Sequence, residues 1–467
     1  MKKTIQTAKY ILADFLLASV VWILFNLLRY HEVASHLGFE SVSSYLSHTK
    51  VWEGQILIPG FWIVLYYFSG YYNKPFSKSR IAEFFLTLST VWIGVTLLFF
   101  IIVLNDIPHS IYVYYELYFS LLLLQFICTY LSRLIITQAG IRKTKERKWV
   151  MHVLIIGTGE KARLVAENLF QLGCQVTGFI SEDKQGDRQG EERLIRGYLA
   201  DLPDIMETEQ VDELIVAIES AESQQVLSIL YTLYPYKRPI KVLYVDKMLL
   251  FSRVKINNMY GIPLIDLTDN NFSEAGKNLK VFLDKILSLL IMAGLSPLFI
   301  YMVVRIKKDS PGPVLFKQER IGYLGKPFFI YKFRTMYVDA EKDTPMLSSE
   351  NDPRITPFGR IMRKYRLDEL PQFWNVLKGD MAIVGPRPER KYYIDQIVKK
   401  APYYYLLHNV RPGITSLGMV KYGYAGNVEE MVKRLEYDML YYENMSLLLD
   451  LKILVFTIQT VLTGKGI

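Results

Sequence analysis

Cysteine is nearly absent from this chain: two in 467 residues, Cys128 inside an apolar run and Cys174 beside an expected strand. So few and so far apart, they exclude a disulfide framework and a zinc-ligand pattern. A small-residue cleavage site is lacking too. The opening MKKTIQTAKY has the charge of a signal peptide, but a long apolar run follows it uncut, so it is expected to be an anchor. Acids are missing from a third place. Between Arg354 and Arg366 the chain carries Arg354, Arg360, Arg363, Lys364 and Arg366 and no carboxylate. That void ends abruptly at RLDELPQ, where Asp368 and Glu369 stand side by side before Pro371.

What the chain has in quantity is apolar and basic. The apolar fraction is 51% and the formal net charge is +9. That combination fits a membrane protein that also handles anions, either lipid headgroups or phosphorylated substrates. No nucleic-acid partner is expected. The 33 Tyr, 25 Phe and 6 Trp suit interfacial belts, with membrane lipids as partners.

Four apolar segments fill the first third: Ile11 to Leu28, Ile56 to Tyr71, Phe84 to Leu104 and Ile111 to Ile127. Each is near the length that crosses a bilayer, the second being the weakest because Pro59 and Gly60 interrupt it. Lys2, Lys3 and Lys9, then Lys74, Lys78 and Arg80, then Arg142, Lys143, Lys145, Arg147 and Lys148 lie on one side, which the positive-inside rule makes cytoplasmic. Residues 1–148 are therefore expected to form a bundle of four transmembrane helices. Asp14, Asn26 and Glu116 lie in or near the spans and are expected to be solvated or paired.

Residues 149–265 read as an α/β, Rossmann-like domain. Val153 to Ile156, Gln175 to Ile180, Glu213 to Ile218 and Ile240 to Val245 are strand runs expected to pair in parallel, with a helical pattern after Gly157-Thr158-Gly159. GTGEKA, with Ala162 at the third glycine position and Glu182 and Asp183 after the second strand, half-matches a dinucleotide fingerprint. A bound nucleotide and a fold that merely needs a tight turn both remain open.

Ile286 to Val304 is uncharged and about 28 Å long if helical. Cations flank it on both sides: Lys277, Lys280 and Lys285 before, Arg305, Lys307 and Lys308 after. Gly294 and Ser296-Pro297 break it near the middle, and proline removes an amide donor. A re-entrant hairpin over residues 280–308 keeps both cation clusters on one face; an ordinary kinked span is the alternative. In the hairpin, Ser296 is expected to satisfy a carbonyl freed by Pro297.

Beyond Asp309 the pattern becomes α+β. In FFIYKFRTM, alternation puts Lys332 and Arg334 on one strand face, where two cations form either a phosphate clamp or a solvated pair. Asp368 and Glu369, held among guanidiniums, are expected to stay ionised. Such an Asp can attack phosphorus while its neighbour holds Mg²⁺; a plain salt-bridge network is the competing reading. In Gly385-Pro386-Arg387-Pro388 two prolines fix the backbone around Arg387, which suits diphosphate recognition.

Together, Ser296-Pro297, DSPGPVLFKQERIG, YKFRTM, DPRITPFGR, RLDELPQ, GDMAIVGPRPE and the ending LDLKILVFTIQTVLTGKGI resemble the bacterial sugar transferases, the polyprenyl-phosphate hexose-1-phosphate transferases or large monotopic phosphoglycosyl transferases. The resemblance covers residues 278–467, and the four spans followed by an α/β module also look like the long members. It implies transfer of a sugar-1-phosphate from a UDP-sugar to undecaprenyl phosphate with release of UMP. The site would be the cytoplasmic face of the bacterial inner membrane, at the first step of capsule, exopolysaccharide or O-antigen assembly. By motif, Asp368 would form a covalent phosphosugar-aspartate and Glu369 would bind Mg²⁺. Lys332, Arg334, Arg354, Arg366 and Arg387 would contact phosphates or the nucleotide. One departure is ITSLGMVKYGYAG, residues 414–426, where members carry a Gly/Trp- and Asn-Gly-containing run.

Three rival functions follow from the same text. A glycosyltransferase would release UDP. A nucleotide-sugar dehydratase would use a Tyr-x-x-x-Lys pair, and none occurs between Trp149 and Ser273. A non-enzymatic scaffold would have no need of the intact carboxylate pair. A homodimer through the α/β module is also an expectation.

Overall fold

The computed structural model describes residues 2–37, 39, 41–75, 80–105, 110–145, 151–171, 173–181, 195–219, 223–243, 256–257, 264–268, 270–338, 340 and 352–463. Lys78, Arg147, Lys148, Glu182 and Asp183 lie outside the described residues. The chain forms two compact units, Met1–Met151 with Leu169–Gln175 and Ser273–Asn278, and the remainder.

The first unit is helical: α1 (Lys2–Glu32), the short α2 (Val42–Leu46), α3 (Thr49–Phe68), α4 (Arg80–Ile101) and α5 (Ile111–Lys145). Among the described residues three single helices, α1, α4 and α5, hold stretches long and apolar enough to cross a membrane. The second expected segment is helical as α3, with Pro59 inside it, but it is not one of these three. The acid in α1 is paired. Arg133 of α5, 1% exposed, donates to Asp14 at 3.0 Å and to Thr87 at 3.0 Å, with the rings of Tyr66 and Tyr71 at 4.1 and 3.6 Å. An unpaired charge inside an apolar bundle costs several kcal/mol, roughly 3 at the least, so burial forces such partnering. Asn26 is buried on the Trp22 carbonyl and the Tyr45 hydroxyl, and Glu116 is exposed.

The second unit begins with a mixed sheet. Its strands are β1 (His152–Ile156), β2 (Gln175–Ser181), β3 (Ile195–Tyr198), β4 (Glu213–Val216), β5 (Ile240–Leu243), β6 (Ile256–Asn257) and β7 (Leu264–Asp266), in the order β3-β2-β1-β4-β5-β7-β6. Helices α6 (Glu160–Gln171), α7 (Leu202–Thr208) and α8 (Ser223–Leu233) connect them. β4 pairs in parallel with β1 and β5, as apolar runs buried on both faces favour, and β2 pairs in parallel with β3. β7 then runs antiparallel to both β5 and β6, an edge the strand runs alone did not announce.

Next come α9 (Glu274–Gly294) and α10 (Ser296–Asp309), bent by 62° at the break. Pro297 has no amide for the Ala293 carbonyl, and the Ser296 hydroxyl donates to that carbonyl at 2.8 Å. The rest is a β8 (Leu315–Ile321) and β9 (Pro327–Phe333) hairpin, α11 (Pro357–Lys364), α12 (Gln372–Lys378), the parallel pair β10 (Ala382–Val384) and β11 (Gly413–Thr415), and α13 (Lys391–Lys400), α14 (Leu417–Lys421), α15 (Val428–Glu443) and α16 (Leu447–Leu462).

One hydrophobic core joins the sheet to these C-terminal helices. Leu230, Leu233 and Tyr234 pack with Tyr404, Leu406, Leu407 and Val410, and Tyr442 donates to the Thr268 carbonyl at 2.7 Å. His408 sits in this seam, 6% exposed, with neither ring nitrogen hydrogen-bonded and the rings of Tyr404 and Tyr405 edge-on. Burial, helped by the charge of Lys237, lowers its pKa from 6.5 to about 4. The unfolded chain therefore takes up the proton first. Stability is full above about 6.5 and declines as pH falls toward about 4. The loss amounts to about 3 kcal/mol across that window. His408→Phe is expected to flatten that decline, read as the difference in melting temperature of the solubilised protein between pH 7.5 and pH 5.

Candidate active site

The carboxylate pair is presented by a constrained turn. Thr356 caps α11 by accepting from the Gly359 amide at 3.0 Å, with Pro357 in the first helical position. After α11, Arg366 adopts a left-handed backbone, φ 53°, which costs a non-glycine residue about 1 kcal/mol. That reversal starts a short 3₁₀ turn, Leu367–Glu369. Leu367 and Leu370 anchor it on Met302, Ile306, Phe333 and Met362, so the acids between them are held from below by α10 and β9. Asn375 of α12 fixes β9 from the side, donating to the Phe329 carbonyl at 2.7 Å and accepting from the Tyr331 amide at 3.2 Å.

Asp368 and Glu369 are 8% and 7% exposed. Lys332 donates to Glu369 at 2.7 Å and lies 3.9 Å from Asp368. Arg387 and Arg366 approach Glu369 at 3.4 and 3.6 Å. These contacts divide the pair. For Glu369, burial alone would raise the pKa, but Lys332, Arg387 and Arg366 outweigh it and hold the carboxyl well below its usual range. Asp368 has fewer close cations, and burial pushes its carboxyl up. Protons therefore add to Asp368 before Glu369, where sequence reasoning treated the two alike.

The acids open into a cavity of about 400 Å³. Its described lining carries Arg320, Lys332, Arg334, Arg363, Arg366, Arg387, Arg390 and Arg434 against three carboxylates, Asp368, Glu369 and Glu389. So cationic an enclosure suits a multiply charged phosphate ligand. A second ion ladder shapes it: Arg320 donates to Glu389 at 3.1 Å, and Arg434 donates to the other oxygen of the same carboxylate. Asp438 accepts from the Gly418 amide at 2.9 Å and from the Arg387 amide at 3.5 Å, steadying the proline-bracketed arginine. Gly385 is required there, since a Cβ would fall 2.4 Å from the Arg411 carbonyl.

Lys332, Arg366, Arg387, Asp368 and Glu369 are thus brought together. Arg334 lines the cavity, but its guanidinium donates to the carbonyls of Pro311 and Ser310, both at 2.6 Å, and secures the turn after α10. Arg354 is not brought in: it pairs with Asp352 at 2.5 Å and with the Ala340 carbonyl at 3.2 Å. Ser296 and Pro297 form the break between α9 and α10. Arg320, Arg363, Glu389, Arg434 and Asp438 were missed by sequence reasoning. The one local signal was Arg434 and Asp438 at i, i+4 on α15. In the sheet, the amide opening α6, where a dinucleotide phosphate would sit, is engaged by the chain's own Glu219 carboxylate, which accepts from Lys161 N at 2.7 Å.

Residues 275–464 match the profile of the family described as bacterial sugar transferase, and residues 67–241 match one described as CoA-binding domain. The chain is 41% identical over 217 residues to UDP-N-acetylgalactosamine-undecaprenyl-phosphate N-acetylgalactosaminephosphotransferase of Aeromonas hydrophila, covering 46% of this chain and 51% of that protein. It is 40% identical over 186 residues to UDP-glucose:undecaprenyl-phosphate glucose-1-phosphate transferase of Caulobacter vibrioides, covering 39% and 70%. It is 29% identical over 454 residues to undecaprenyl-phosphate galactose phosphotransferase of Salmonella typhimurium, covering 88% and 86%. The first of these matches spans only about half of the relative's length.

Proposed function

The chain belongs to the bacterial sugar transferase family, and on that premise we propose that it moves a sugar-1-phosphate from a UDP-sugar to undecaprenyl phosphate. The observation that carries the reading is the buried, unequal carboxylate pair inside an eight-cation cavity. An Asp368 oxygen attacks the sugar-bearing phosphorus, the bond from that phosphorus to the UMP oxygen breaks, and UMP leaves with the electron pair. The acceptor's phosphate oxygen then attacks the phosphosugar-aspartate and frees Asp368. Lys332, Arg366 and Arg387 are already in place and need no reorganisation as charge moves through the transition state.

The donor chemistry also fits Mg²⁺. Glu369, with Asp368 beside it, offers the one or two carboxylates that this ion combines with water and substrate phosphates. Among the described residues no group of three or more acids, histidines or cysteines forms a complete cage, so the substrate's phosphates would supply the remaining ligands. When bound, the ion would neutralise phosphate charge.

Residues 278–467 form the catalytic part in this reading. Four helices cross the inner membrane, α9 and α10 enter and leave it on the cytoplasmic face, and the Rossmann-like sheet of residues 149–265 stays outside the chemistry. Homodimers and a role in exopolysaccharide assembly belong to the same reading. Membranes carrying the protein, given UDP-glucose, UDP-galactose and UDP-N-acetylgalactosamine with undecaprenyl phosphate, should release UMP from at least one donor. Release of UDP in its place would point to a glycosyltransferase.

A further inference from the structure

The cavity has an apolar lip that the nucleotide-sugar does not explain. In the β8–β9 ladder Phe316 lies directly opposite Lys332, so the two side chains share a face at neighbouring positions. Phe316 lines the cavity and is 44% exposed, next to the lysine that reaches both acids. Tyr337 and Val338, 49% and 62% exposed, continue the same wall. Val338 abuts Gly312, where a Cβ would fall 2.7 Å from the valine side chain, and Gly312 belongs to the turn leading out of α10. The lip therefore adjoins the exit of the apolar helix pair.

The second helix of that pair, α10, lies one packing layer below the acids. Leu298, Phe299, Met302, Val303 and Ile306 of α10 pack with Phe333, Leu367 and Leu370, while Ile300, Tyr301 and Val304 are exposed. Arg363, held by the Thr335 hydroxyl at 2.9 Å, and Arg366 line the same cavity. Large exposed apolar side chains beside a cationic pocket match a ligand with an anionic head and a hydrocarbon tail. A sugar nucleotide has no hydrocarbon to place there.

We propose that Phe316, Tyr337 and Val338 seat the first isoprene units of the lipid acceptor, its phosphate facing Arg363 and Arg366. The inference rests on the transferase reading for the identity of the acceptor, but its test does not depend on turnover. A farnesyl phosphate bearing a photoreactive diazirine on its tail, irradiated with the full chain in membranes, should label peptides containing Phe316 or Val338. Excess unlabelled farnesyl phosphate should suppress that label at least about fivefold. Phe316→Ser and Val338→Asp should reduce it about tenfold each, the loss expected when most of a large apolar contact is removed. Phe316→Leu, which keeps apolar surface, should retain it and shows that the fold survives change at this position. Labelling confined to α9 and α10, or labelling that unlabelled farnesyl phosphate does not suppress, would mean bulk-lipid contact and would overturn the proposal. Release of UDP from the donor would instead overturn the transferase reading and leave a lip label unaffected.

Discussion

Asp368→Asn will abolish turnover, by at least about 10³-fold, while the protein stays folded. The amide is isosteric with the acid, but its oxygen carries no full charge and its nitrogen lone pair is delocalised, so it is a poor nucleophile at phosphorus. The surroundings tolerate the exchange. Burial already pushes the Asp368 carboxyl toward its neutral form, so a neutral side chain there removes a strain rather than adding one. The 2.7 Å contact of Lys332 is with Glu369, which the exchange leaves unaltered. The measurement is intact-mass analysis after incubation with a UDP-sugar and no acceptor: wild type should gain one phosphosugar and Asp368→Asn none, with melting temperatures within a few degrees. An adduct on the Asn variant would remove Asp368 from its role.

Lys332→Met comes next in size. Lys332 does more than any other cation to lower the pKa of both acids, against the opposing effect of burial. Without it two adjacent buried carboxylates face each other with less compensation, though Arg366 and Arg387 still hold Glu369. The rate should fall about 10²- to 10³-fold, the cost of removing a preorganised charge at a reacting phosphoryl group. The pH dependence separates this from simple unfolding. Attack needs Asp368 ionised, so the rate rises with pH through its pKa, and removing a neighbouring cation moves that rise to higher pH. Lys332→Arg keeps the charge and should leave the acid limb near its wild-type position even if the rate drops. A limb that does not move in Lys332→Met would show that another group controls it.

Legibility in the sequence followed distance along the chain. The long helices of the first unit were readable because extended apolar runs need no partner to reveal them, and Ser296-Pro297 because a missing amide has a local consequence. Arg133 was not readable: its meaning lies in Asp14, 119 residues away. Lys332 and the acid pair stood out as charges in unusual company, yet the ladder of Arg320, Glu389 and Arg434 did not, because its members are 69 and 45 residues apart. Arg354, given a phosphate contact by the resemblance, has its visible partner much closer along the chain, in Asp352 two residues earlier. Arg334 lines the cavity as well, and its two carbonyl contacts at Ser310 and Pro311 were not legible because the strand it follows gives no sign of where that turn comes to lie.

The seam that links Leu233 and Tyr234 to Leu406 and Leu407 bears on how this chain can be taken apart. A fragment cut to begin near residue 275 would bare a greasy flank in water, with the Thr268 carbonyl no longer there for Tyr442. The sheet is thus a wall of the same building rather than an annex. A chain shortened there is expected to need polar side chains along that flank before it stays in solution.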